Sequence, residues 1–234
     1  MRRMIEQCTL WRPGLWFRPI RAAVVMLSAM AVMSCTAVHQ DTKSAAFQKD
    51  YGRYTYAEVK AVRQSTEKSC GLACLASVLN YWDKPVSEGE LVARHPIPDG
   101  HIGLSLGELQ QAALKEGLTA FAVSVPQTGQ TPAALLTSEI SKGRPVIVAV
   151  HCPAGKYFGD PLPVIENADF RSIKPLGVNA ERRNHHYVVV CGEDPRHYLV
   201  MDPAYGIGPV QKQSLLDWWK DEQWAALIAS PVAR

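Results

Sequence analysis

An α+β domain, with one buried helix packed on an antiparallel sheet, is predicted by three features of the sequence. Gln64 to Trp82 turns from polar to almost unbroken apolar at Cys70, and the run stops before Pro85. Its length and its Ala and Leu content favour a helix from about Cys70 to Trp82 over a strand. His185 to Gly206 holds two β-rich runs around Gly192-Glu193-Asp194-Pro195, which reads as a hairpin. Between these stretches, two Ser-x-x-Glu signals, at Ser87 and Ser105, precede β-rich runs at Thr119–Val125 and Pro145–Val150.

In chain order, Arg2, Arg3, Arg12, Arg18 and Arg21 precede an apolar run from Ala22 to Met33. That run is short for a bilayer span and suits the h-region of a signal peptide, residues 1–34. Val32-Met33-Ser34-Cys35 resembles a bacterial lipobox, with Cys35 as the lipidated residue. The expectation is therefore a lipoprotein anchored to a membrane in the bacterial periplasm. Residues 35–55 are polar and read as the lipidated N-terminus and a tether. Residues 56–234 are long enough for one domain with a substantial core.

Within that domain, Val59 to Val62 is expected to be a short strand leading to Gln64. Ser69 is the expected N-cap of the central helix and Pro85 helps to end it. Leu72, Leu75, Ala76, Val78 and Leu79 leave little polar face, so the helix should cross the middle of the domain. Ser87 with Glu90, and Ser105 with Glu108, have capping-box spacing. The second box opens a helix to about Glu116, closed by Gly117. Thr119 to Val125 reads as a strand, Thr131-Pro132 opens a helix ending near Gly143, and Pro145 to Val150 reads as a buried strand. Residues 153–184 lack periodicity and are expected to border a cleft and help to select substrate, with a plain surface insertion as the alternative.

Charge narrows the partners. The chain has 25 Lys+Arg and 22 Asp+Glu, a net of +3. Residues 1–34 carry five arginines and one glutamate, so the remainder has 20 basic and 21 acidic residues, a net of −1. This balance gives no reason to expect nucleic-acid binding.

The chemistry starts at Cys70. At the helix N-terminus, unpaired N–H groups and the helix dipole favour a thiolate. Cys74, one turn further in, reads as a small core hydrophobe. A cysteine needs a base and a group to orient that base. With a turn centred on Asp194, His186 lies opposite Asp202, and opposed residues share a sheet face with Cβ atoms roughly 5 Å apart. His185 would point to the other face. A one-residue slip in the register would separate the pair.

Gln64, six residues before Cys70-Gly-Leu-Ala-Cys-Leu-Ala, resembles the active-site segment of the C39 peptidases, which include bacteriocin-processing domains on peptide-exporting ABC transporters. His186-Tyr-Val-Val-Val and Asp202-Pro-Ala-Tyr-Gly resemble the family's histidine and aspartate motifs, and the likeness spans roughly residues 58 to 230. Ser69 stands where transporter-borne members usually carry an acidic residue. The resemblance implies a papain-like cysteine peptidase fold, whose central helix bears the cysteine and packs on a sheet bearing the histidine and aspartate. It implies a Cys70-His186-Asp202 triad with Gln64 at the oxyanion, no cofactor, and cleavage after a double glycine in a leader peptide. A stand-alone, monomeric peptidase acting on an exported protein or peptide is expected. The alternatives are a transamidase with the same triad and a non-catalytic binding module assisting secretion.

The remaining cysteines and histidines suggest less. Cys152 and Cys191 each end a β-rich run, so antiparallel pairing would hold them too far apart for a disulfide. Free thiols are favoured, with a Cys74–Cys152 pair as the alternative. No metal site is expected, because His95, His101, His151 and His197 lack regular ligand spacing and Cys70 to Cys74 is not a zinc-knuckle pair.

Overall fold

The computed structural model describes residues 44–152 and 184–232. The expected export signal, Cys35 and the connection 153–183 lie outside the described residues. Among the described residues, no helix is long and apolar enough to cross a membrane.

The central helix, α2, runs from Cys70 to Tyr81. Leu72, Leu75, Leu79 and Val78 are all essentially inaccessible to solvent. Each such side chain contributes roughly 1.5–3 kcal/mol when removed from water, which more than offsets the weak amphipathic signal of the segment. Three polar anchors fix its position: Ser77 Oγ donates to Lys60 O (2.6 Å), Tyr81 OH to Gly143 O (2.7 Å) and Trp82 Nε1 to Ala229 O (3.1 Å).

Two short helices follow, α3 (Glu88–Arg94) and α4 (Leu106–Lys115), and both begin with the complete capping boxes that the sequence predicts. Gly117 lies at φ 77°, the left-handed conformation that lets the chain leave α4. Strand β2 (Leu118–Ser124), helix α5 (Pro132–Ser141) and strand β3 (Val146–Cys152) come next, within a residue or two of expectation. Strands β4 (Asn184–Glu193) and β5 (His197–Asp202) form the expected hairpin, and β6 (Gly206–Gln211), α6 (Lys212–Lys220) and β7 (Ala225–Pro231) complete the order.

The strands pair antiparallel in the order β2-β7-β3-β4-β5-β6. Alternation divides the core between the two faces of the sheet. Ile147, Val189, Cys191, Leu199, Met201 and Leu227 pack with α2, whereas Val148, Val188, Val190 and Val200 pack with Leu136 of α5 and Trp219 of α6. Cys152 pairs with Asn184 and Val146 with Val190, so Cys152 and Cys191 stand at opposite ends of the β3–β4 ladder. Cys70, Cys74 and Cys191 are free thiols, which removes the Cys74–Cys152 alternative.

Two sequence expectations are corrected. The segment read as a tether contains a helix, α1 (Ala45–Tyr51), capped by Ser44 Oγ accepting from Phe47 N at 3.2 Å. Phe47 and Tyr51, four residues apart on one face, hold it down. Phe47 packs on Tyr56 at a ring separation of 4.9 Å, and Tyr51 OH donates to Ile207 O at 3.0 Å. Second, Val59 to Val62 is not a strand; the short strand is β1, Thr55–Tyr56. It pairs with Glu193 and Gly192 of β4, and Ala57 N then donates to Cys191 O, after which the chain turns towards α2.

Gly192 makes that crossing possible. A Cβ there would lie 2.8 Å from Tyr56 Cβ and 2.9 Å from Thr55 O, one of them backbone and neither able to swing away. We expect Gly192→Ala to destabilise the domain by about 1–3 kcal/mol, read as a lower urea midpoint with an unchanged slope. An unchanged midpoint would show that β1 yields easily.

Candidate active site

Asp202 is the last residue of β5 and is inaccessible to solvent. A buried carboxylate is costly unless it is hydrogen-bonded and paired. Its Oδ1 accepts from Ala204 N (2.7 Å) and Tyr205 N (3.2 Å) and lies 3.1 Å from His186 Nε2. Oδ2 is buried with no partner among the described residues, so the stabilisation is concentrated on one oxygen.

His186 reaches Asp202 by a different route from the one expected. The hairpin turn is closed by Asp194 N donating to His197 O, so it is centred on Pro195 and Arg196 rather than on Asp194. A bulge near Cys191 then shifts the register to Val190↔Val200 and Val189↔Met201. Continued by one residue, this register sets Val188, not His186, across from Asp202. The displacement is two residues, so sheet parity is kept and the pair meets diagonally, within reach of a long side chain. His185 alternates away, towards Glu222.

Cys70 opens α2 and is 5% exposed, and the His186 side chain lies beside its thiol. Two contacts bring helix and strand this close. Cys74 Sγ donates to Tyr187 O at 3.2 Å, and a Cβ on Gly71 would lie 3.1 Å from the Tyr187 ring. Ser69 does not cap the helix, contrary to expectation. Its hydroxyl turns back to accept from Thr66 N (3.1 Å), so Ser69 leaves the N–H groups beside the thiol uncapped. Cys74, in contrast, has its thiol pKa pushed well up, chiefly by burial.

Gln64 joins this group. Its backbone N–H donates to Pro203 O (3.0 Å), directly after Asp202, and the next residue, Ser65, is gripped by the buried Glu88. The Gln64 side chain is 5% exposed, and its Nε2 donates to Thr66 O (2.8 Å), leaving its second N–H available. The structure therefore brings together Cys70, His186 and Asp202 and ties the Gln64 backbone to the turn after Asp202, while the lipidation candidate Cys35 lies outside the described residues. A cleft of about 580 Å³ opens on Cys70 and His186, with Gly103, Leu104, Ala149 and Tyr187 among its walls. Its size suits a small ligand or a few residues of a peptide.

Burial alone would raise the Cys70 pKa, but the hydrogen bond and charge of His186, with the N–H groups of Tyr187 and Gly71, hold it below 9.0. Burial alone would lower His186, yet the charge and hydrogen bond of Asp202, with Cys70 beside it, raise it from 6.5 to about 10. The geometry thus favours a thiolate–imidazolium pair.

Sequence reasoning missed a second group in the same region. His151, His185 and Glu222 each place a potential metal-ligating atom within 4.8 Å of the others. His151 and His185 are cross-strand partners, a relation visible only once β3 and β4 are paired; Glu222 is brought in by the turn after α6.

The sign of the pH response follows from these shifts. Stability from the charged His186 is complete below 6.5 and is lost as pH rises through about 10. Stability from the Cys70 thiolate is complete above 9.0 and is lost as pH falls through its lowered value. The rate of Cys70 alkylation by iodoacetamide should therefore rise with pH through a midpoint below 9.0. In His186→Ala, burial is no longer opposed by the imidazole and the midpoint should move upward. An equal midpoint in both proteins would remove the ion pair.

The model of the Peptidase_C39 like family matches residues 56–226. No curated protein matches the chain by sequence. Among solved structures, a putative C39-like peptidase from Bacillus anthracis is 19% identical, with a TM-score of 0.52, over 76% of this chain and 100% of that one. A double glycine motif protease from an AMS/PCAT transporter, solved in complex with the leader peptide, is 20% identical with a TM-score of 0.50, over 76% and 94%. At these identities the structural likeness speaks for the fold alone, and the family match covers most of the domain. The chain belongs to the peptidase C39-like family and has its papain-like fold.

Proposed function

We propose that the protein is a cysteine endopeptidase acting on an exported protein or peptide. The observation that carries this reading is Cys70 beside His186, whose Nε2 lies 3.1 Å from the buried Asp202, on the wall of an open cleft. A structural cysteine needs neither a lowered pKa nor a charged histidine beside it.

In the proposed reaction the proton of Cys70 resides on His186, and Asp202 orients the imidazolium and stabilises its charge. The thiolate attacks the peptide carbonyl carbon, and the resulting oxyanion is held by Cys70 N–H and the free N–H of Gln64 Nε2. His186 gives its proton to the leaving amine as the C–N bond breaks. Water, deprotonated by His186, then attacks the thioester, releasing the acid and restoring the thiolate–imidazolium pair. No cofactor enters these steps.

The double-glycine specificity named for the transporter-borne relative is the first substrate class to consider. The Arg-rich and apolar segments before Cys35 support an exported, lipid-anchored form in the bacterial periplasm. Such a protein would trim a partner exported separately, as a monomer tethered by its N-terminus.

The test is intact-mass spectrometry of candidate exported proteins incubated with the protein and with Cys70→Ala. Fragments that depend on Cys70 and end at a glycine pair are expected. Mass gained by amine capture would indicate a transamidase, and no change in any protein would leave a binding module. With a substrate in hand, Gln64→Ala should lower kcat by about 100-fold, the loss of one oxyanion donor. Asp202→Asn should lower it by about 10⁴-fold through the wrong imidazole tautomer.

A further inference from the structure

His151 of β3 and His185 of β4 stand opposite each other, with ring centroids 5.3 Å apart. Their Nδ1 atoms converge on one oxygen, Glu222 Oε1, at 3.2 Å and 2.5 Å. Two imidazoles sharing one carboxylate oxygen is an arrangement that a simple clamp does not require, since the carboxylate has a second oxygen to offer. The Nε2 of His151 is also buried with no hydrogen-bond partner among the described residues. A buried polar atom without a partner calls for an explanation.

We propose that His151, His185 and Glu222 form a site for a divalent transition ion of the zinc class, and that an ion held there suppresses the reactivity of Cys70. Two imidazoles and a carboxylate match the ligands such ions take, whereas calcium and magnesium prefer oxygen alone. Ligand atoms about 2.1 Å from a tetrahedral ion lie about 3.4 Å from one another, so small side-chain rotations bring the present group into range. Two partners come from paired strands and so are held at a fixed separation; the third, Glu222, is only 16% exposed.

The coupling to Cys70 follows from position. His185 and Glu222 line the same cleft as Cys70 and His186. A dication on that wall would occupy space that a substrate, or a reagent approaching Cys70, needs. The suppressive part of the proposal rests on the peptidase reading of the cleft, whereas the metal site itself does not.

The test is titration of the purified protein with zinc chloride in competition with a chromophoric chelator. One ion per chain is expected, both in the unaltered protein and in Cys70→Ala. His151→Ala and Glu222→Gln should each weaken binding by more than about 10-fold; Glu222→Gln, nearly isosteric, serves if His151→Ala fails to fold. Cobalt in place of zinc should give visible d–d bands without a sulfur-to-cobalt charge-transfer band. Loss of binding in Cys70→Ala, or a sulfur band, would place the ion on a thiol and overturn the proposal, as would absence of uptake. Zinc should slow Cys70 alkylation in the unaltered protein and not in Glu222→Gln. Uptake without that slowing would overturn the suppressive role and keep the site. Neither readout needs a peptide substrate, so a failure to find cleavage is separate from a failure here.

Discussion

A carboxylate sealed from water must have its charge answered, and the arrangement around Asp202 is that answer. Among the described residues only one of its oxygens is partnered, by two backbone N–H groups and one imidazole. The backbone pair fixes the chain from Asp202 to Tyr205 in a tight turn. Pro203, inside that turn, offers its carbonyl to the Gln64 N–H. The charge itself is met by His186, whose proton is thereby retained to about pH 10. The condition of the thiol beside it is thus set by a group that the thiol does not touch.

Most of the fold was legible because local signals and burial agreed. The apolar run of α2, both capping boxes, the left-handed glycine after α4 and the β4–β5 hairpin each had an unambiguous local cause. The failures share a different cause. α1 is too short and too polar to announce itself, and its stability comes from Phe47 and Tyr51 docking on residues distant in sequence. Val59 has a strand's composition but lies where the chain must leave the sheet, with Lys60 O bonded to Ser77. In each case a tertiary contact decided against local preference.

The site was legible through chemistry more than through geometry. That Cys70, His186 and Asp202 meet was legible from motif and spacing, yet the register used to pair His186 with Asp202 was off by two residues. Parity made the error harmless, because an even displacement keeps both side chains on one face. Ser69 shows the opposite case. A serine before a helix is ordinarily its cap, and here its hydroxyl serves the preceding loop instead. The His151–His185–Glu222 group had no linear signature at all, since it depends on strand pairing across a long connection.

The contact between Gly71 and the Tyr187 ring bears on how such a protein can diversify. Helix and strand meet through a glycine, a thiol and a main-chain carbonyl, all too short to flex. The position of the nucleophile against its base is therefore indexed at Tyr187, downstream of the point where the connection 153–183 enters β4. Between that entry and the site, the ladder partners Cys152–Asn184, His151–His185 and Val150–His186 hold the strand in place. A lineage can lengthen, shorten or rewrite the connection while the reactive distance stays where the ladder sets it. Variation and constancy are thereby assigned to adjacent stretches of one chain, with three residue pairs as the boundary.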